Sequence, residues 1–172
     1  MRIQKKEENV KIFWRDLVSG KFARMVGESS EGENLHSSAD AYNMLKPITM
    51  GHPDIEKMYG IYLDRKNKII GFSVLASGTL SASAVYPREV IKECLSKQAA
   101  AIILAHNHPS QDTTPSLEDQ RLTRDLTMSL RLVGIDLLDH IIIGNGYYSF
   151  ADDGRIKSFL ADYDSIFTHW RQ

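Results

Sequence analysis

The stretch Ala99-Ala100-Ala101-Ile102-Ile103-Leu104-Ala105-His106-Asn107-His108-Pro109-Ser110 decides how this chain is read. The run from Ala99 to Ala105 is apolar throughout instead of alternating, the pattern of a short strand buried on both faces. His106 and His108 follow one residue apart, and alternate side chains of a strand point the same way. Strand geometry carried through them projects both imidazoles to one side. Pro109 then ends the strand, and two histidines at a strand end can chelate one metal ion.

Downstream, Gln111-Asp112-Thr113-Thr114-Pro115 is turn-rich, and Ser116 opens a helical pattern with apolar residues at Leu122, Leu126, Leu130 and Val133. Asp119 falls in the first turn of that helix, where its carboxylate can swing toward a cation held by the histidines. Two His, one Asp and a water meet the needs of a hydrolytic zinc site, three protein ligands and an open position. The same pair has a plainer use. Ser116-Leu117-Glu118-Asp119 has the spacing of a capping box, a hydroxyl at the N-cap and an acid three residues on. Capping leaves the two converging imidazoles upstream without an explanation.

The pattern His-x-His, seven residues, Ser, two residues, Asp, met by His106, His108, Ser116 and Asp119, resembles the JAMM motif of MPN/JAB-domain metallopeptidases. The wording around it resembles the RadC-like subfamily of JAB-domain proteins. So do Thr114-Pro115-Ser116, Gly78-Thr79-Leu80, Pro87-Arg88-Glu89 and Leu138-Asp139-His140-Ile141-Ile142-Ile143-Gly144. The resemblance runs from about Ser38 to about Gly154, so residues 1–37 are expected to form a lead-in and residues 38–172 a RadC-like JAB/MPN domain. It implies an α/β fold of the α+β type, a single domain with a central mixed β-sheet flanked by helices in a cytidine-deaminase-like layer architecture. It implies Zn²⁺ held by His106, His108 and Asp119. It also implies a catalytic glutamate from an earlier strand. Glu56 aligns there, through its spacing to Met58-Tyr59-Gly60-Ile61-Tyr62-Leu63-Asp64, which resembles the family's first core strand. Nothing local sets Glu56 apart from Glu89 or Glu93, and most glutamates are simply solvated.

Two departures accompany the resemblance. Gln111 stands where the RadC-like pattern has Gly after Pro-Ser, so a different loop backbone is expected there. Members also usually carry an N-terminal helix-hairpin-helix region, for which the residues before Ser38 are too few.

The implied chemistry is peptide or isopeptide hydrolysis. A carboxylate such as Glu56 takes a proton from a metal-activated water and later gives it to the leaving amine. Zinc and the Ser116 hydroxyl would stabilise the oxyanion, a contribution of roughly 3 kcal/mol per donor in other hydrolases. A hydroxyl both donates and accepts, so Ser116 can cap the helix as well. Two His and one carboxylate also suit non-haem Fe(II); the resemblance favours zinc. JAMM relatives cut conjugates of ubiquitin-like modifiers, so the expected partner is a peptide or protein substrate, such a conjugate included.

Working outward, the chain reads as an α/β domain. Val10–Trp14 has strand character, and Gly27–Gly32 has loop composition. Ser37-Ser38 can cap a helix through Ala41, Met44 and Leu45 that Pro47 stops. Met58–Leu63 and Ile69–Leu75 read as a hairpin across the polar turn Asp64–Lys68. Ser83–Tyr86 offers a short strand before a helix opening at Pro87. Ile135–Leu138 and His140–Ile143 supply further strand material, and Asn145-Gly146 a turn before Tyr147–Phe150.

A chain of 172 residues suits one domain with a sizeable core, and its apolar 42% and charged 25% are ordinary for a globular protein. The formal net charge of −1 leaves no overall electrostatic footprint for nucleic acid. That weakens the alternative reading, a RadC-like DNA-repair-associated or DNA-binding accessory protein, which steeply salt-dependent DNA affinity would favour. A scaffold without catalysis has no need of the full constellation. A zinc deaminase needs Pro-Cys-x-x-Cys ligands that one cysteine cannot supply. The letters His-Asn-His are not an HNH nuclease, whose named residues are dispersed along a ββα-metal unit.

The lone Cys94 cannot form an internal disulfide and fits a buried stripe with Val90, Ile91 and Leu95. No apolar run is long enough to span a membrane and no signal-peptide h-region is present, so cytoplasm is the expected location. His140 reads as a hydrogen-bonded strand histidine or as a partner that orients a ligand. His36, His52 and His169 read as surface residues. Arg88 and Glu89 fit either a substrate surface or an ordinary helix start. Ser77-Gly78-Thr79 fits a family loop or a plain turn. Asn107, between the two histidines, is expected to point away from the metal.

Overall fold

A computed structural model describes residues 21–50, 53–78 and 85–168. In chain order the elements are α1 (Lys21–Ser30), α2 (Ser38–Thr49), β1 (Lys57–Leu63), β2 (Ile69–Ser77) and α3 (Pro87–Ser96). They continue with β3 (Ala101–Asn107), α4 (Leu117–Leu132), β4 (Asp136–Gly144), β5 (Gly146–Ser149) and α5 (Arg155–Thr168). The strands form one sheet in the order β2-β1-β3-β4-β5. β1 runs antiparallel to both β2 and β3, β3 and β4 are parallel, and β4 turns back antiparallel into β5. The sheet is therefore mixed and flanked by helices, as expected of an α+β domain. Among the described residues no helix is long and apolar enough to cross a membrane.

All seven residues of β3 are buried, because helices cover both faces of the sheet. On one face Ile102 and Leu104 pack with Met58, Val90, Cys94, Leu126, Leu130, Ile142 and Phe150. On the other, Ala101, Ile103 and Ala105 pack with Ala41, Leu45, Ile48, Tyr59, Ile61 and Ile141. The period-2 alternation of β3 fixes this partition, and it puts His106 in phase with Ile102 and Leu104, toward α4. Burial also pushes the Cys94 thiol up to about 12, so it behaves as an inert apolar group.

Several expectations are corrected. The helix begun at the Ser37 N-cap does not stop at Pro47 but runs to Thr49. Proline forfeits one backbone bond; burial of Ile48 and Thr49, and the Thr49 hydroxyl donating to the Lys46 carbonyl at 2.9 Å, outweigh it. Gly27–Ser30 is helix, not loop. Val26 packs on the sheet, and the Ser29 and Ser30 hydroxyls return to its carbonyl at 3.0 and 2.7 Å. Val85 and Tyr86 lie ahead of α3 and are not a strand; Ser83 and Ala84 lie outside the described residues, as does Val10–Trp14. Leu95 and Val133 face solvent instead of extending the apolar stripes, and Val133 already lies past the end of α4. α5 has no counterpart in the sequence reading.

Strand material expected as two pieces is one strand, β4, with an irregularity between them. Ile102 faces Leu137 but Ile103 faces Asp139, so Leu138 is an extra residue. One extra residue reverses the side-chain phase that follows. It turns His140 toward α4, beside His106, and Asp139 toward the opposite face.

Asp139 is buried there, accepting from the His140 and Ala151 N–H groups at 2.7 and 2.9 Å and from the Ser149 hydroxyl at 2.6 Å. Burial pushes its carboxyl up to about 6 against these donors, with Asp152 adding repulsion. That lies above the roughly 3.9 of an unfolded aspartate. The folded state therefore takes up a proton that the unfolded chain does not, and this group's contribution to stability rises as pH falls from about 6 toward about 4. Asp139→Asn keeps the acceptor for both N–H groups and removes the titration. Urea unfolding across that window should show the wild type gaining on the order of 2 kcal/mol relative to Asp139→Asn as pH falls; a pH-independent difference would contradict the assignment.

Candidate metal centre

Four side chains meet at the end of β3. His106 Nε2 lies 2.9 Å from His108 Nε2 and 3.2 Å from Asp119 Oδ1, and His108 Nε2 lies 3.6 Å from Asp119 Oδ2. Glu56 Oε1 stands farther out, 3.9 Å from His106 Nε2. Tetrahedral zinc with bonds of about 2.0–2.1 Å separates its ligand atoms by about 3.3 Å, and the three shorter contacts straddle that spacing. Glu56, His106 and His108 also form a set compact enough to hold an ion, with ligand atoms within 4.8 Å of one another. Asp119 approaches His106 more closely than Glu56 does.

Local structure explains each position. His108 extends the β3 register by one residue, its N–H donating to the Ile143 carbonyl at 2.9 Å. Its Nδ1 lies 2.6 Å from the Asp112 backbone oxygen, which can only accept, so Nδ1 carries the proton and Nε2 presents a lone pair to the cluster. The loop that supplies Asp112 presses on β4: a Cβ at Gly144 would sit 2.5 Å from the Gln111 oxygen, so only glycine fits there. Gln111 itself has φ 64°, the left-handed region that glycine enters most easily. The loop therefore keeps a glycine-like backbone with glutamine in place, where a different backbone was expected.

Ser116 and Asp119 do form the capping box. The Asp119 N–H donates to Ser116 Oγ at 3.0 Å, and the Ser116 N–H and hydroxyl donate to Asp119 Oδ2 at 2.8 and 2.6 Å. The box does not compete with the cluster, because it occupies Oδ2 and leaves Oδ1 turned to His106. Burial alone would raise the Asp119 carboxyl; the His106 and His108 imidazoles beside it, then the Ser116 hydroxyl, hold it well below the usual carboxylate range. The Asp119 carboxylate beside it raises His108 above its ordinary value, against the opposing effect of burial. An anionic carboxylate facing converging imidazole nitrogens is a donor set that fits a divalent cation.

Glu56 precedes β1 by one residue. Met58 pairs with His106 across the sheet, and Glu56, two residues earlier, shares that face. Its backbone is held at three points. Asn107 donates to the Ile55 carbonyl and accepts from the Lys57 N–H, each at 3.0 Å, and the Gly78 N–H donates to the Glu56 carbonyl at 2.9 Å. Gly78 has φ 117°, a conformation that favours glycine and lets its N–H reach the Glu56 carbonyl just past the end of β2. Asn107 does point away from the imidazoles, its amide bonded to the backbone at Ile55 and Lys57.

The sequence reading left the Asn107 clamp unseen, since asparagine between two histidines carries no signal of a partner fifty residues upstream. His140 is fully buried beside His106. His36 is exposed, and His52 and His169 lie outside the described residues. Arg88 pairs with Glu89 at 3.2 Å and lies over the Tyr86 ring, at the exposed start of α3; Thr79 lies outside the described residues.

The family model described as a RadC-like JAB domain matches residues 35–155. A UPF0758 protein of Methanosarcina mazei is 45% identical over 124 residues, covering 72% of this chain and 54% of its own. UPF0758 proteins of Symbiobacterium thermophilum and Vibrio atlanticus are 48% and 50% identical over 106 and 102 residues, covering 61% and 59% of this chain and 45% and 46% of theirs. The chain thus spans about half the length of the curated relatives it matches.

Asn107→Ala leaves both backbone groups beside Glu56 without their side-chain partner, at a cost of about 1–3 kcal/mol. Amide exchange at Lys57 should accelerate accordingly. Unchanged protection at Lys57 would mean that something other than Asn107 holds this segment.

Proposed function

The chain belongs to the RadC-like JAB domain family, and from that premise we propose that it is a zinc-dependent hydrolase of peptide or isopeptide bonds. The observation that carries this reading is the meeting of His106, His108 and Asp119 within 3.6 Å of one another, with the Glu56 carboxylate beside them. In this reading His106 Nε2, His108 Nε2 and Asp119 hold Zn²⁺. The ion supplies acidity to water and polarises a carbonyl oxygen.

The remaining work falls to the chain's own groups. Glu56 takes the proton of the attacking water on its carboxylate and passes it to the leaving amine. The three backbone contacts around it keep that carboxylate over the cluster. Ser116 keeps its oxygen in the helix cap and, by rotating its hydroxyl, directs a proton to the oxyanion; the group is a rotor with acceptor capacity to spare. Asp119 stays anionic throughout. The substrate is a peptide or protein, a ubiquitin-like conjugate among the candidates that the JAMM resemblance brings.

The test is a cleavage screen of peptide and isopeptide libraries with metal content measured in parallel. Glu56→Gln should keep its zinc and lose turnover by roughly 10²–10⁴-fold. His108→Ala should lose both. Normal turnover in Glu56→Gln removes Glu56 from its role, and wild-type protein without metal under zinc-replete conditions overturns the reading.

A further inference from the structure

His140 offers no nitrogen to the cluster, yet it governs the far side of His106. His106 Nδ1 lies 2.9 Å from His140 Nε2, and His140 Nδ1 lies 2.7 Å from Thr123 Oγ1. Thr123 Oγ1 lies in turn 2.5 Å from the backbone oxygen of Asp119. All three side chains are buried, at 0% exposure.

The direction of the chain follows from its last member. A backbone carbonyl only accepts, so the Thr123 hydroxyl donates to Asp119. The Thr123 oxygen is then the acceptor for His140 Nδ1–H. A neutral imidazole carries one N–H, which makes His140 Nε2 the acceptor and puts the next proton on His106 Nδ1. His106 Nε2 is left as a lone pair facing His108 and Asp119. His140 is buried among apolar groups and Thr123, surroundings that disfavour a charged ring. The ring plane is set by Phe150, stacked on it at 5.2 Å and 11°.

We propose that Thr123 and His140 are positioning residues, a one-way hydrogen-bond relay that starts at the Asp119 carbonyl and fixes His106 in the tautomer able to ligate a divalent metal. Asp119 then acts on His106 from both sides, through its carboxylate at Nε2 and through the relay at Nδ1. The inference rests on the metal-centre reading above and deepens it. Without the Thr123 oxygen, His140 has no acceptor for its Nδ1 proton. The tautomer with the proton on Nε2 becomes competitive, and a proton on Nε2 reverses His106 and covers its lone pair.

The experiment uses the full chain. Long-range ¹H–¹⁵N spectra of the metal-free protein should show His106 and His140 both protonated at Nδ1; His106 protonated at Nε2 overturns the relay. Competition with a chromophoric chelator should show Thr123→Val binding Zn²⁺ about 10–100-fold more weakly than wild type, with Thr123→Ser restoring most of the affinity. The Co²⁺ spectrum should change in Thr123→Val alone. Equal affinity in Thr123→Val and wild type overturns the relay and leaves the metal centre standing, whereas wild type that binds no Zn²⁺ removes the centre and the relay with it.

Discussion

The facing of two imidazole nitrogens 2.9 Å apart, beside a carboxylate that stays anionic, is the constraint on which the rest of the structure depends. Lone pairs at that distance repel unless a proton or a cation lies between them, and a buried carboxylate needs a hydrogen-bond donor or a positive partner for the same reason. Each neighbouring element holds one member in place. β3 aims His106, the loop pressed on Gly144 turns His108, and the capping box of α4 points Asp119. The sheet brings Glu56 alongside through its pairing in β1.

Covered faces make such rigidity available. β3 is buried on both sides, so its side-chain phase cannot slip without exposing one hydrophobic layer and burying the wrong residues in the other. The same alternation divides labour between adjacent residues. His106 reaches the cluster on the α4 face, while Asn107 reaches the backbone around Glu56 from the other side. A capping box and a contact to His106 likewise share Asp119 without conflict, because a carboxylate has two oxygens and the box uses one. The Leu138 irregularity is the third such device. It gives His106 a buried neighbour and gives the opposite layer a buried carboxyl.

Much of this was legible in the sequence where the signal is local. The uniformly apolar run before His106, the hydroxyl and acid spaced for a cap, the hairpin after Glu56 and the proline opening α3 each act over a few residues, and each element formed as expected. Glu56 was legible only through the resemblance, since no local pattern marks it. What escaped the reading depends on distant partners. Pro47 looked like a stop because the burial of Ile48 and Thr49 is invisible in sequence, and Gly27–Ser30 looked like a loop because the sheet that Val26 packs on lies far along the chain. The extra residue at Leu138 left a trace, the break between two expected strand pieces, but its consequence for His140 needs the β3 partner. Gly78 was read only as a turn or family loop and Asn107 only as pointing away from the metal, without their bonds to the backbone around Glu56, and Thr123 gave no signal at all.

The most direct measurement is a crystal structure of protein purified with zinc, with anomalous diffraction recorded on both sides of the zinc absorption edge. One anomalous peak should lie between His106 Nε2, His108 Nε2 and Asp119, at about 2.0–2.2 Å from each, with Glu56 outside bonding distance. No peak at that point, or an ion bound without Asp119, would contradict the three-ligand centre.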